Sequence, residues 1–250
     1  CMELTEKALV LKVGRFREND AWVRCLGPGH GVFTAFAFGA ARSRRRFCGC
    51  LDTLNLVLFQ VGSSKRGAYL TLEEGTLLHG FPALKAESSR LGMAVNCLKF
   101  AEAVEAGPAG AKTAFELLLD SLQVLEESSE PPTDVFPLFF RAKTAFEQGF
   151  GPDFAACHVC GKPAEEMESG FFVVEKGRLS CAACRPTVGL CLPASAGTAL
   201  TLDRLGRSRP AEWARLDMGG LVRRQCYEII ERFVAYHLGL TWDGGRFRKV

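Results

Sequence analysis

Four cysteines in two close pairs form the pattern with the clearest chemistry in this sequence. Cys157 and Cys160 make one C-x-x-C pair, and Cys181 and Cys184 make a second pair after 20 intervening residues. Each pair directs two thiolates at one point, and two such pairs supply the four soft ligands of a closed tetrahedral zinc site. Because a closed site has no open position for water, the spacing predicts a structural zinc ion and not a catalytic one.

The segment between the two pairs is typical of a zinc ribbon. Residues 170–179 have the pattern of a short hairpin that returns the second pair to the first, and Gly161 follows the first pair, where a turn around a metal needs a residue without a Cβ. We therefore predict a zinc module over residues 153–190. Iron is an alternative metal for four sulfurs, and His158 and Cys191 are alternative ligands.

A basic loop is the second chemical signal. Arg42, Arg44, Arg45 and Arg46 occupy four of five consecutive positions. Guanidinium groups at this density repel one another unless they are solvated or face an anion, and phosphate is the usual anion for such clusters. The alternative interpretation is a solvated loop that only keeps the protein soluble. Cations on neighbouring elements extend the predicted nucleic-acid-binding set: Lys12, Arg15, Arg17, Arg24, Lys65 and Arg66.

Exposed aromatic rings beside these cations would complete a single-strand site, because bases stack on rings while phosphates follow the cations. Sequence alternation makes Trp22, Phe36 and Phe38 the candidates. The chain contains 19 Phe, most of which must lie in the core, so burial is the default expectation for each candidate ring.

The elements that must carry the basic residues are strands. Five β-like runs precede residue 80, at residues 8–13, 21–26, 32–38, 51–61 and 68–79. Five strands with short polar connections predict a small closed barrel, with an oligonucleotide-binding (OB) fold or an SH3-like barrel as the two alternatives. The glycine-rich turn at residues 27–31 lacks the Lys-Ser/Thr of a Walker loop and precedes no helix pattern, so we predict a turn and not a nucleotide site.

Helical periodicity replaces alternation after Pro82. Apolar residues recur at helical spacing in five segments, at residues 91–101, 115–125, 133–148, 194–205 and 221–238. The basic ending at residues 244–249 is typical of a mobile terminus that adds a second phosphate contact. The predicted fold class is α+β, with an OB-fold domain at residues 1–80 and an α-helical domain at residues 81–250 that carries the zinc module.

The charge is divided along the chain. The net charge of +3 combines 11 Lys/Arg against 7 Asp/Glu in residues 1–80, 6 against 10 in residues 81–150, and 14 against 11 in residues 151–250. This division predicts polyanion binding in two regions of the chain. No signal peptide or membrane-length apolar run is visible, and the unpaired thiols fit a reducing compartment, so the expected location is the cytoplasm.

Three local patterns in this order and spacing point to a known family. They are residues 17–20 leading to the Gly31 turn, residues 38–42 leading into the basic loop, and residues 149–152 before the first cysteine pair. With the barrel, helical body and four-cysteine module, the chain resembles the RecO family of bacterial DNA-repair and recombination mediators. The resemblance covers nearly the whole chain from Met2.

The resemblance implies properties that the residues alone do not. RecO-like proteins have an OB-fold domain, a helical domain and often a zinc module, bind single- and double-stranded DNA, and anneal complementary strands. They act at the nucleoid with RecR and the single-strand-binding protein SSB to load the recombinase RecA. By resemblance, DNA binding falls on the basic loop and on the six further cations, and the metal role falls on the four cysteines. The site for SSB falls in the helical domain.

Two other classes of function compete with a non-enzymatic DNA-binding mediator. A zinc-dependent base deaminase needs an H-x-E motif ahead of a P-C-x-x-C pair and an open metal position. The sequence contains no H-x-E, and four cysteines already fill the metal's coordination sphere. In the third interpretation, the barrel serves protein contacts and the chain is an adaptor.

Overall fold

The computed structural model describes residues 4–43 and 45–250, which form two compact units, the first ending at Ser129 and the second beginning at Glu130. The first unit contains five strands followed by three helices: β1 (Leu4–Arg15), β2 (Ala21–Gly27), β3 (Gly31–Ala37), β4 (Leu56–Ser63), β5 (Leu70–His79), α1 (Pro82–Ala86), α2 (Ser88–Val104) and α3 (Ala111–Glu127). The predicted domain boundary after residue 80 stays a prediction. Helices α1 to α3 belong to the compact unit that contains the barrel.

The five strands close into a barrel because β1 is long enough to pair on both sides. Its first half pairs antiparallel with β4 and its second half with β2, with a register shift between Val10 and Lys12 that bends the strand. Strand β3 pairs with β5 in parallel, which gives the closed order β1-β2-β3-β5-β4. This order is that of an OB-fold and not of an SH3-like barrel, and it confirms the predicted fold class.

Alternation along β2 and β3 assigns the faces of the barrel correctly. Val23 and Cys25 lie in the barrel core, whereas Trp22 and Arg24 lie on the outer face. On β3, Phe33, Ala35 and Ala37 likewise fill the core. Strand β1 is buried on both faces along its middle, since helices α2 and α3 pack against it. The outer face of β2 and β3 near the β1–β2 turn keeps half-buried polar and aromatic residues.

The second unit consists of helices around a small sheet and ends in a hairpin. Its elements are α4 (Phe136–Ala145), β6 (Gly170–Val173), β7 (Arg178–Cys181), β8 (Cys191–Ala194), α5 (Ala196–Arg207), α6 (Pro210–Trp213), α7 (Gly220–Leu238), β9 (Leu240–Asp243) and β10 (Arg246–Lys249). The predicted hairpin between the cysteine pairs is confirmed as β6 and β7, and β8 adds a third strand in the order β7-β6-β8.

Two predictions for this unit need correction. The helix predicted over residues 133–148 is shorter, because α4 gives way to a π-helical turn over Phe146–Phe150 in which Gly149 has a φ of 89°. The prediction of a mobile ending at residues 244–249 is wrong. Gly244 and Gly245 form a two-residue turn between β9 and β10. The ring centroids of Trp242 and Phe247, which face each other across the two strands, are 4.8 Å apart.

Candidate nucleic-acid interface and metal centre

The four predicted metal ligands come together in the second unit. The Sγ atoms of Cys157, Cys160, Cys181 and Cys184 all lie within 4.8 Å of one another, and those of Cys160 and Cys181 are 3.8 Å apart. Four sulfurs at a zinc–sulfur distance of about 2.3 Å in a tetrahedron lie about 3.8 Å apart. The cysteine cluster therefore has the donor atoms and the dimensions to hold a metal ion.

Short local structures position each cysteine pair. The Cys157 amide donates to the carbonyl oxygen of Lys162 at 2.9 Å, and the Gly161 amide donates to that of Cys157 at 2.9 Å, which closes the first turn. Gly161 has a φ of +75°, as predicted for a turn that disfavours a Cβ. In the second pair, Cys181 ends β7 and a single 3₁₀ turn over Ala182–Cys184 returns Cys184 to the cluster.

The two alternative ligands have other partners. The amide and the Nδ1 atom of His158 lie 2.8 and 2.9 Å from the carbonyl oxygen of Leu179, so this histidine fastens the first cysteine turn to β7. The Sγ atom of Cys191 lies 4.0 Å from the carbonyl oxygen of Pro186. Among the residues the structure describes, the metal-binding cluster consists of the four predicted cysteines.

Proton affinities differ sharply within the cluster. Burial raises the pKa of the Cys157 thiol, but hydrogen bonds from the amides of Cys160, Cys181 and Val159 outweigh burial and lower its pKa to about 6. Hydrogen bonds with the Cys181 and Cys160 side chains raise the pKa of Cys184 to about 12. The cluster thus favours a thiolate at Cys157 and disfavours one at Cys184, and a bound cation would favour the thiolate at both by neutralising the shared charge.

The basic loop lies in the first unit between β3 and β4. Arg42 and Arg45 are exposed, Arg46 is half-buried, and Arg44 lies outside the described residues. The loop begins with a turn in which the amides of Arg42 and Ser43 donate to the carbonyl oxygen of Gly39 at 3.1 and 3.2 Å. The described arginines of the loop are therefore held on a defined turn, with two of the guanidinium groups facing solvent.

Arg46 anchors this loop to the barrel. Its guanidinium donates to the carbonyl oxygen of Phe38 at 2.5 Å and to that of Glu73 at 3.4 Å, and its amide donates to Ser43 Oγ at 3.0 Å. These acceptors are uncharged, so the bonds fix the position of the guanidinium and leave its positive charge uncompensated. The geometry gives Arg46 a positioning role as well as a charge.

Four aromatic rings form a cluster on the barrel surface, which we call the ring cluster: Phe16, Phe36, Phe38 and Tyr69. Neighbouring ring centroids are 5.3 to 6.2 Å apart. Phe16, Phe38 and Tyr69 are 40%, 37% and 44% exposed. The default expectation of burial is therefore wrong for Phe38, and Phe36 is half-buried.

Cations border the ring cluster. The Arg17 guanidinium lies 5.7 Å from the centre of the Phe16 ring. Lys65 and Arg66 are exposed in the β4–β5 turn that leads to Tyr69. Ser64 holds this turn by accepting from the Ala68 amide at 3.0 Å. One predicted cation thus lies against a ring of the cluster, and two others lie in the turn that carries Tyr69.

Trp22 on β2 and Lys12 on β1 lie next to this surface. Trp22 pairs with Phe36 on β3 and with Gly14 on β1. A Cβ added at Gly14 would lie 2.3 Å from the indole, so the glycine lets the half-buried ring lie flat on the sheet. The Lys12 ammonium lies 5.9 Å from the centre of this ring.

The remaining two predicted cations are placed differently. Arg15 is exposed at the end of β1 and lines a cavity of about 370 Å³ beside the basic loop. Arg24 faces α2, where its guanidinium lies 3.3 Å from the Glu102 carboxylate and forms an ion pair with Glu105. Those two carboxylates offset the charge of Arg24, whereas Arg17 beside the rings has one carboxylate near it, that of Asp20 at 3.8 Å.

The turn at residues 27–31 is occupied by a carboxylate of the protein itself. The buried Glu6 side chain accepts from the amides of Gly29 and His30 at 2.8 and 3.1 Å, and it contacts the His30 ring. These amides face an internal anion, which agrees with the prediction of a turn and not of a nucleotide site.

In the described part of the chain, every helix is too short or too polar to cross a membrane.

Sequence reasoning missed Phe16 and Tyr69. Both belong to turns, where alternation does not indicate which way a side chain points. The available signal was their position next to the predicted cations Arg17 and Arg66, within three residues in each case.

Comparisons with known proteins agree with this architecture. The family model for the N-terminal part of recombination protein O matches residues 2–81, and that for its C-terminal part matches residues 86–246. The chain is 46% identical to the DNA repair protein RecO of Maridesulfovibrio salexigens and 44% identical to that of Oleidesulfovibrio alaskensis, with all of both chains covered in each case. The DNA repair protein RecO of Anaeromyxobacter sp. (strain K) is 31% identical over 239 residues, which are 96% of this chain and 93% of that protein. This chain therefore belongs to the RecO family.

Proposed function

We propose that this chain is a non-enzymatic DNA-binding mediator of recombinational repair. The observation that carries the proposal is the ring cluster with its bordering cations. It spans the β1–β2 turn, β3 and the β4–β5 turn. OB-folds bind oligonucleotides on the face of strands 2 and 3 and on the loops that join strands 1–2 and 4–5. The relatives are named as DNA repair proteins, which supports the same conclusion.

The surface suits a single strand because its two kinds of side chain act on different parts of the nucleotide. Exposed bases stack on the rings, and each such stack contributes about 1–3 kcal/mol. Arg17, Lys65 and Arg66 lie at the rings' borders, where a strand's phosphates pass. A duplex gains little from the rings, because its bases are already stacked on one another.

Duplex binding and annealing follow from charge. The exposed Arg42 and Arg45 neutralise phosphates whatever the base sequence. Cations beside one bound strand reduce its repulsion for a second, and base pairing then supplies the free energy of annealing. No bond is made or broken, so this activity needs no catalytic residue.

The cations contribute unequally to the proposed interface. Arg46 positions the loop, and Arg24 stabilises the packing of α2 on the barrel through its two carboxylates. The cations that we propose to contact DNA directly are Lys12, Arg15, Arg17, Arg42, Arg45, Lys65 and Arg66, with Arg44 added from the sequence alone.

The partners follow from the family. We propose that the chain acts at the nucleoid with RecR and SSB to load RecA on SSB-coated DNA, and that the SSB site lies in the helical part. An OB-fold that holds a strand through rings and cations exposes it for transfer, which fits a mediator.

We propose zinc as the metal of the cysteine cluster. The ion would be held by the four cysteines of the cluster, Cys157, Cys160, Cys181 and Cys184. It would cross-link β7 to the turn before β6 and would take no part in a reaction. A deaminase site is disfavoured because four sulfurs leave no position for an activated water and the chain has no H-x-E motif.

Replacing two exposed rings tests the proposed single-strand surface. In the double variant Phe38→Ala and Tyr69→Ala, we expect the dissociation constant for a 12-nucleotide single strand to rise at least 30-fold, because about 1–3 kcal/mol is lost per base stack. Fluorescence anisotropy at one salt concentration measures this change. The affinity for a 12-base-pair duplex should change less than threefold.

The matched control is Tyr236→Ala, which removes a more exposed ring, 59% accessible, from α7. It should leave both affinities unchanged. Equal losses for single strand and duplex in the double variant would contradict the stacking role of the ring cluster.

A further inference from the structure

A cavity opens at the mouth of the barrel between the β1–β2 turn and the basic loop. Its volume is about 370 Å³. Its lining combines apolar side chains, among them Val13, Leu51 and the buried Phe47, with polar ones, among them Asn19 and Asp20. None of the residues that line the cavity belongs to the ring cluster.

The walls of this cavity are held in place by hydrogen bonds. The Asp20 Oδ1 atom accepts from the Gly39 amide at 2.8 Å, and the Asn19 carbonyl oxygen accepts from the Ala41 amide at 3.1 Å. These bonds tie the start of the basic loop to the β1–β2 turn. The opposite wall is a turn in which the Cys50 amide donates to the carbonyl oxygen of Phe47 at 3.0 Å. The cavity is therefore formed before any ligand arrives.

The lining suits a small flat ring with a polar edge. Binding sites for small molecules range from about 300 to 1,000 Å³ and combine apolar walls with a few polar groups, so this cavity fits a small ligand. The lining offers the amide of Asn19 and the carboxylates of Asp20 and Asp52 as hydrogen-bond acceptors. Asp52 also pairs with Lys85 at 3.3 Å and Asp20 with Arg17 at 3.8 Å, but a carboxylate has lone pairs for a further donor. Carboxylates accept from the exocyclic amino group of cytosine, and side-chain amides pair with adenine.

The position of the cavity indicates how such a ring would arrive. The exposed Arg42 and Arg45 lie on the loop that forms one wall, and Arg15 stands at the rim. A strand whose phosphates contact these guanidinium groups would follow the loop that forms this wall, which would bring its bases near the opening. Turning one base out of a single strand costs less than turning one out of a duplex, which must also lose its pairing.

We propose that the cavity binds one nucleobase turned out of a bound single strand, with a preference for bases that carry an exocyclic amino group. The inference rests on the proposed DNA-binding function. It adds a base-specific site to an interface that otherwise contacts rings and phosphates without regard to sequence.

The test uses a 12-nucleotide thymine strand with a single central 2-aminopurine, a fluorescent base with an exocyclic amino group. Anisotropy of a terminal dye reports binding of the strand, and the 2-aminopurine emission reports the environment of that one base. With the unaltered protein, we expect the emission to rise at least threefold on binding, because the base leaves its stacked neighbours. Unlabelled strands then compete with the 2-aminopurine strand. The concentration needed to reverse the emission rise should be at least threefold lower for a competitor with one central dC than for an all-thymine competitor.

Two variants close or weaken the cavity without removing a cation. Ala41→Leu fills the opening, and Asn19→Ala removes a rim amide while keeping the main-chain oxygen that holds the loop. Both should lose most of the emission rise, and the dissociation constant of the 2-aminopurine strand should rise at least threefold, to that of an all-thymine strand. The dissociation constant of the all-thymine strand itself should change less than threefold. The control Ala109→Leu adds the same bulk at an exposed site outside the cavity lining and should behave as the unaltered protein.

The two readouts separate the two proposals. A full emission rise in both variants, or no rise with the unaltered protein despite normal anisotropy, overturns the nucleobase site and leaves DNA binding intact. Absence of any anisotropy change with the unaltered protein overturns the proposed function and the nucleobase site together. Thermal unfolding of each variant within 3 °C of the unaltered protein establishes that folding is retained.

Discussion

Arginines that look alike in the sequence have different partners in the folded chain. Arg24 and Arg45 both looked like phosphate contacts in the sequence, but Arg24 faces Glu102 and Glu105 whereas Arg45 faces solvent. Sequence spacing assigns Arg24 to the outer face of β2 and cannot show that α2 packs over it. The partner of a side chain comes from an element some 80 residues away, and no local pattern encodes it.

This difference gives a prediction for Arg24→Gln. We expect the free energy of unfolding to fall by about 1 kcal/mol, because the half-buried Glu102 and the exposed Glu105 lose their cation. The salt dependence of DNA binding should stay as it was. Urea unfolding and a salt titration measure the two effects. Arg45→Gln is the matched control: it should leave the free energy of unfolding unchanged and reduce the salt dependence of DNA binding. A reduced salt dependence in Arg24→Gln would contradict this assignment, because it would place the Arg24 guanidinium on the DNA.

A second residue-scale prediction concerns pH. A hydrogen bond from Arg223 lowers the pKa of Asp134 below its ordinary value of 3.8. A carboxyl whose folded pKa is depressed stabilises the fold above its unfolded pKa, and this contribution is lost as the pH falls through the folded pKa.

Asp134→Asn should therefore lower the free energy of unfolding at pH 7 by no more than about 0.5 kcal/mol, since the pair is largely exposed. The difference between variant and unaltered protein should shrink as the pH falls below 3.8. Urea unfolding at pH 7 and at about pH 2.5 compares them. A difference that grows in acid would contradict the assigned direction.

At the scale of elements, we expect the sheet beside the cysteine cluster to depend on a bound metal more than the barrel does. The sheet of β6, β7 and β8 has strands of four residues each, too short to hold together by pairing alone. We expect metal removal by a chelator at pH 7 to raise amide hydrogen exchange across this sheet at least tenfold. Anisotropy should show single-strand affinity changed less than threefold, because the ring cluster lies on the barrel.

Cys160→Ser should reproduce the effect of the chelator, whereas Cys191→Ser should not, since Cys191 stands outside the cluster. Metal content by mass spectrometry under native conditions provides the comparison. Equal protection of β6 to β8 with and without metal would show that the ion does not brace the ribbon.

Sequence periodicity predicts elements well where one face is buried and poorly where turns decide the structure. The alternation in β2 and the helical spacing in α7 each match the buried residues observed. The ending at β9 and β10 was missed because its charge dominated the interpretation. A two-residue Gly-Gly turn between short runs was a hairpin signal in the same residues.

At the scale of the whole molecule, the barrel brings together residues that the sequence keeps apart. The four cysteines were predictable because each pair is local and the hairpin between them is short. The ring cluster was predicted only in part, because Phe16, Phe38 and Tyr69 meet through barrel closure and the parallel pairing of β3 with β5. Parallel pairing over 30 residues leaves no local trace in the chain.

The salt dependence of single-strand binding tests the central claim most directly, which is that solvent-facing cations of the N-terminal barrel contact DNA phosphates. Anisotropy titrations of a 12-nucleotide thymine strand from 50 to 300 mM salt compare the unaltered chain with the double variant Arg42→Ala and Arg45→Ala. The account predicts that the double variant loses about 1.4 from the magnitude of the slope of log K against log salt, because each single-strand phosphate contact contributes about 0.7. An unchanged slope, or an unaltered chain that fails to bind at 50 mM salt, would contradict it.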